Sequence, residues 1–154
     1  MDLALLKEER ILAIDFGLQR IGLALSDPLK IFAYPFKTIQ NDKNTLSNIS
    51  TVIKDNGVNL ILLGYPLKED GSKTDVTEQI EKFKEQLVSS TKLPVLFRDE
   101  RYTSSIAKMH VIASVTSRKK RRDKGLIDKN AASIILQDYL DEISDGKARF
   151  NIQA

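Results

Sequence analysis

Cysteine is absent from this chain of 154 residues. Disulfides and thiolate chemistry are therefore excluded, and a reducing compartment is compatible with the composition. Histidine occurs once, as His110, inside a stretch that reads as helix, where packing or solvent exposure is a simpler role than metal ligation. Long apolar runs are also missing: none approaches the roughly 20 residues of a membrane-spanning helix. The opening MDLALLKEER has a four-residue apolar run before its charges, too short for a secretory leader. A cytoplasmic protein is expected. With no internal repeat, low-complexity tract or linker, the chain reads as a single domain over 1–154, with a polar tail from about residue 144.

What is present is an ordinary globular balance, 42% apolar and 29% charged, with a mild net charge of +3. The distribution of that charge is less ordinary. Arg118, Lys119, Lys120, Arg121, Arg122 and Lys124 place six basic residues in seven positions. Such a run suits phosphate backbones or acidic surfaces; taken alone it reads equally well as a solvated loop.

Apolar patterning predicts strands over 11–14, 21–25 and 31–36, the first two joined as a hairpin with Gly17 at the turn. Leu46, Ile49, Val52 and Ile53 recur at helical spacing within 41–56, and Gly57 stops that helix. Residues 59–64, NLILLG, form the continuous apolar run of a central parallel strand. A turn at Asp70-Gly71 follows, and Ser72 with Asp75 resembles a capping box ahead of the stripe Val76, Ile80, Phe83 and Leu87. A strand over 94–97, a helix from Thr103 to about Ile112, and a last helix over 128–143 complete the reading. An antiparallel hairpin followed by strands alternating with helices implies right-handed parallel crossovers. This is the element order of a ribonuclease-H-like fold: α/β, three layers, a mixed five-stranded sheet with helices on both faces.

Three acids stand in special places. Asp15 closes the first apolar run, Glu100 follows the strand over 94–97, and Asp128 opens the last helix. Ligands of open α/β sheets gather outside the carboxyl ends of strands, where Asp15 and Glu100 meet if their strands are neighbours. Asp128 joins them if its helix starts at that edge. Clustered carboxylates repel, and a hard divalent cation such as Mg²⁺ or Mn²⁺ removes the penalty while leaving positions for substrate phosphate. Each acid also has a plainer role: an Asx turn before Gly17 for Asp15, a surface pair with Arg98 or Arg101 for Glu100, a helix N-cap for Asp128. Arg20 and Arg101 suit phosphate contact or ion pairs beside the acids. Gly64 allows a close approach at a strand end, to a ligand or in a turn. Tyr65 and Tyr102 suit base stacking or rim packing.

DFGLQRIGLALSD resembles the Asp-x-Gly-x-x-Arg-Ile-Gly-x-Ala-x-Ser-Asp opening of the YqgF-like family of pre-16S ribosomal RNA nucleases, relatives of the Holliday-junction resolvases. LLGYPLKEDGS, RDERYTS and SRKKRRDKGLIDKNAASIILQDYLD are similar to further elements of that family, in the family's order, over about residues 11–141. Tyr65 departs from the usual aliphatic residue, and RRDKGL is altered before Ile127; neither change removes an acid. The resemblance implies that Asp15, Glu100 and Asp128 are the catalytic, metal-holding triad and that the basic run grips nucleic acid. The expected activity is metal-dependent endonucleolytic hydrolysis of structured RNA, in 5′-end processing of pre-16S ribosomal RNA. A resolvase acting on branched DNA and a non-catalytic assembly factor on ribosomal particles are the alternatives. No membrane partner is expected, and the chain is read as a monomer or a homodimer.

Overall fold

The computed structural model describes residues 9–100, 124–145 and 151–152; the side chains of 124–130 and of 151–152 lie outside that description. Strands β1 (Arg10–Phe16), β2 (Arg20–Ser26) and β3 (Ala33–Gln40) come first. Helix α1 (Thr45–Asn56), β4 (Val58–Tyr65), α2 (Thr77–Thr91), β5 (Val95–Asp99), α3 (Lys124–Ser144) and β6 (Asn151–Ile152) follow. They form one sheet in the order β3-β2-β1-β4-β5-β6. β1 is antiparallel to β2, and β2 to β3, whereas β1, β4 and β5 run parallel. The two-residue β6 lies antiparallel to β5, pairing Phe97 with Ile152. It adds a sixth strand to the expected five, from a stretch read as polar tail; two residues are too few to show a period in sequence.

The sheet is sandwiched as the apolar runs require. Leu12 and Ile14 of β1 share one face with Ile61, Leu63, Val95 and Phe97, packed with α1 and α2 through Ile49, Val52, Ile80, Phe83 and Leu87. Ile11, Ala13 and Leu62 point the other way, against Ala132, Leu136, Tyr139 and Leu140 of α3. A strand covered on both sides has no polar face, which is why β1 and β4 read as unbroken apolar runs. Each large aliphatic side chain buried there contributes about 1.5–3 kcal/mol. Gly57 ends α1 as expected, at φ 64° with its N–H donating to the Ile53 carbonyl.

Three local expectations shift. The third strand starts at Ala33 rather than Ile31 because Asp27 organises the preceding turn. Its carboxylate accepts the N–H groups of Leu29, Ile31 and Phe32 at 3.2, 2.7 and 2.7 Å. Burial opposes that charge, but the bonds from Phe32, Ile31 and Leu29 outweigh it and hold the Asp27 carboxyl below its usual range. The Ser72 hydroxyl donates to Asp70 at 2.6 Å within its own turn, so it caps no helix; α2 starts later, at Thr77, with no side-chain cap. α3 starts at Lys124, one turn before Asp128. The helix expected from Thr103 lies outside the described residues.

Candidate active site

The parallel strands β1, β4 and β5 end at the same pole of the sheet, and that pole collects the acids. Ile14 pairs with Leu63, which brings Asp15 level with Gly64. Gly64 in turn pairs with Arg98, two residues before Glu100. Alternation along each strand puts Asp15, Gly64 and Arg98 on the α3 face, and Glu100 follows just past the end of β5. The Glu100 side chain leans across β4 into the space above Gly64. A Cβ built on Gly64 would overlap Glu100 Oε1 and lie 3.3 Å from its Cδ and 3.0 Å from Ile135 Cδ1 of α3.

Glu100 is mostly withdrawn from water, and its pKa is pushed up to about 7. Burial is the largest cause, and the charges of Asp15 and then Asp99 add to it. The two sequence-nominated acids are thus near enough for the charge of Asp15 to act on Glu100. Asp128 lies one turn inside α3, so it is not that helix's N-cap. By register it falls two turns before Ile135, about 10 Å along the axis, on the same side of the helix; its side chain lies outside the description. Among the described residues no group of three His, Cys, Asp or Glu side chains is gathered. Asp15 and Glu100 form a pair of hard oxygen donors in which like charges crowd, and that donor set fits a hard divalent cation.

Arg20 begins β2 at the same pole, half-buried and paired with Gln40 of β3. Arg101, Tyr102, His110, Arg118, Lys119, Lys120, Arg121 and Arg122 lie outside the described residues. Tyr65 is core, not a stacking platform: its ring lies 4.4 Å from that of Phe97, and its hydroxyl donates to Glu81 at 2.7 Å. Burial, then the bond to Glu81, pushes the Tyr65 pKa to about 12. Sequence reasoning offered Arg98 only as a surface partner for Glu100, and the structure buries it instead. It is 1% exposed and donates to Asp138 at 2.8 Å and Glu142 at 2.6 Å, both on α3. Its partners stand 40 and 44 residues away, so no local signal could have paired them.

A mixed sheet of this order, helices on both faces and acids at the ends of its parallel strands, defines the ribonuclease-H-like class. Two solved structures share the fold. The chain matches Thermus thermophilus RuvC in complex with Holliday junction substrate at a TM-score of 0.60, with 9% identity over 94% of this chain and 99% of that one. It matches the fowlpox virus resolvase in complex with Holliday junction DNA at 0.55, with 14% identity over 87% and 98%. The sequence model of the RuvX family, described as Holliday junction resolvase, matches residues 9–142. Relatives named "Putative pre-16S rRNA nuclease" include one from Chlorobium chlorochromatii, 42% identical over 87% of this chain and 96% of its own. Another, from Dictyoglomus turgidum, is 39% identical over 88% and 96%. The chain belongs to the RuvX family of Holliday-junction-resolvase-like nucleases. No helix among the described residues is long and apolar enough to cross a membrane.

Proposed function

We propose that this protein is a divalent-metal-dependent endonuclease that hydrolyses phosphodiester bonds in structured RNA, with the 5′ end of pre-16S ribosomal RNA as its substrate. The observation that supports the reading is the Glu100 carboxylate lying over Gly64, the residue level with Asp15, at the end of three parallel strands. The names of the relatives supply the substrate. Asp15 and Glu100 hold Mg²⁺ or Mn²⁺, with Asp128 as the third ligand. Such an ion activates water and stabilises the leaving oxygen in phosphodiester hydrolysis.

The chain's own residues do the rest. Asp15 is fixed by the ladder of β1, so it needs no rearrangement to meet the ion. Glu100 would hold the ion as its carboxylate, from the side chain that lies over Gly64. Arg118, Lys119, Lys120, Arg121 and Arg122, with Arg20 and Arg101, neutralise substrate phosphates. Nothing in this scheme asks for a histidine, cysteine or serine nucleophile.

Branched DNA is the second reading, favoured by the family's description and by resolvase structures that hold Holliday junctions. The test is a cleavage assay with Mn²⁺ on pre-16S RNA and on four-way DNA. Asp15→Asn keeps the shape and removes a ligand's charge. It is expected to lower cleavage by more than about 100-fold, beyond what disturbing a metal's outer partners costs, while the protein stays folded. Cleavage of DNA alone would move the substrate to branched DNA. RNA binding without cleavage in the parent protein would make it an assembly factor.

A further inference from the structure

Gly64 stands near the end of β4, a central strand buried on both faces. Glycine there weakens a strand, because it adds backbone entropy and contributes no side chain to the core. The usual reason for glycine does not apply. The positive-φ glycines among the described residues are Gly57 and Gly71, so Gly64 has a backbone that any residue could adopt. What matters is the missing Cβ, because the space it would fill holds the end of the Glu100 side chain.

The path of Glu100 explains why that space is needed. β4 lies between β1 and β5, so a side chain leaving the end of β5 must pass over β4 to come near Asp15 on β1. Neighbouring strands are about 4.8 Å apart, and two such steps separate β1 from β5. Any side chain on the α3 face of residue 64 would stand in the way. α3 closes the space from above, with Ile135 Cδ1 3.0 Å from where a Gly64 Cβ would be.

We infer that Gly64 is a positioning residue: its bare backbone is a notch that lets Glu100 cross β4 and face Asp15. The inference rests on the reading of those two acids as a cation-holding pair. Glu100 Oε1 is the far end of a flexible side chain, so a methyl group at residue 64 displaces the carboxylate more readily than it disrupts the strand. Gly64→Ala therefore separates the two acids while leaving each in the protein.

The test is Gly64→Ala, read by Mn²⁺ titration calorimetry and by a crystal structure of the metal-free variant. The Glu100 carboxylate is expected to have turned off β4, and Mn²⁺ affinity to fall about 10–100-fold, as when a metal ligand loses its support. On a Glu100→Ala background the same change is expected to cost no further affinity. Adding Ile135→Val to Gly64→Ala is expected to restore nothing, whereas full recovery would assign the clash to Ile135 and overturn the inference. Glu100 still seated over residue 64 would also overturn it, as would parental Mn²⁺ affinity in Gly64→Ala when Asp15→Asn has lost binding. Should Gly64→Ala fold poorly, the Gly64→Ala/Glu100→Ala pair must fold like Glu100→Ala, or the overlap lies elsewhere and the notch is refuted. If the parent protein binds no Mn²⁺, the metal-dependent reading fails by itself, and the position of Glu100 in the variant structure still decides the role of Gly64.

Discussion

Two charges two residues apart, Arg98 within β5 and Glu100 just past its end, are treated by the molecule in opposite ways. Arg98 meets two carboxylates of α3, Asp138 and Glu142, within 2.8 Å. Glu100 meets the charges of Asp15 and Asp99, which share its sign, and its pKa rises to about 7. The first cluster brings a cation to the acids of α3 and ties helix to sheet. The second gathers charge that folding alone does not favour. A withdrawn acid whose pKa is raised by burial and by neighbouring acids, at the ends of parallel strands, is a candidate for function, whereas the Arg98 cluster fastens helix to sheet.

The comparison breaks most visibly at Arg98. Arg98→Met leaves Asp138 and Glu142 without their shared cation beneath α3, and removing one partner of a buried ion cluster costs about 3–5 kcal/mol. Urea unfolding measures that loss. Replacing all three residues together, as Arg98→Met/Asp138→Leu/Glu142→Leu, is expected to recover most of it, because an apolar cluster needs no compensation. A triple variant as unstable as the single one would show that the charges themselves hold α3 in place.

Glu100→Gln is expected to act in the opposite direction. The folded, metal-free protein binds the Glu100 proton more tightly than the unfolded chain, whose ordinary value is 4.5. The contribution of Glu100 to stability is therefore greatest below about pH 4.5 and falls as pH rises toward 7, by about 3 kcal/mol at most, at about 1.4 kcal/mol per unit. Glutamine removes that loss. Unfolding curves at pH 5 and pH 8 are expected to converge for the variant and to differ for the parent. A parent-like gap in the variant would place the effect on other groups.

The smallest effect sharpens the contrast between core and site. Tyr65→Phe removes the bond to Glu81 and is expected to cost about 0.5–1.5 kcal/mol. RNA affinity is expected to stay unchanged, because the ring packs on Phe97 within the core. A loss of RNA affinity without a loss of stability would return Tyr65 to the binding surface.

The same contrast shows what could be read from sequence. Asp15 drew notice because it closes an apolar run and Glu100 because it follows a strand, and the parallel order of β1, β4 and β5 follows from crossover handedness. Arg98 was not legible: its meaning lies in Asp138 and Glu142, and only the fold brings α3 onto β5. Gly64 was half legible, since a glycine ending an apolar strand signals close approach without naming what approaches. The late start of β3 hid behind a run, IFAYPF, whose first two residues are apolar yet exposed. The carboxylate of Asp27 fixes that turn more strongly than the apolar pattern draws Ile31 and Phe32 inward.

The outer margin of the sheet at β3 has a consequence for assembly. Pro35 sits in that strand, and the pairing of β3 with β2 slips a residue between Leu23 and Ala24, opposite Lys37 and Pro35. A proline donates no backbone bond, a slipped register twists the ribbon, and an exposed lysine repels a like neighbour. This margin is thereby closed to strand addition, so one copy cannot template the next in an endless ladder through β3.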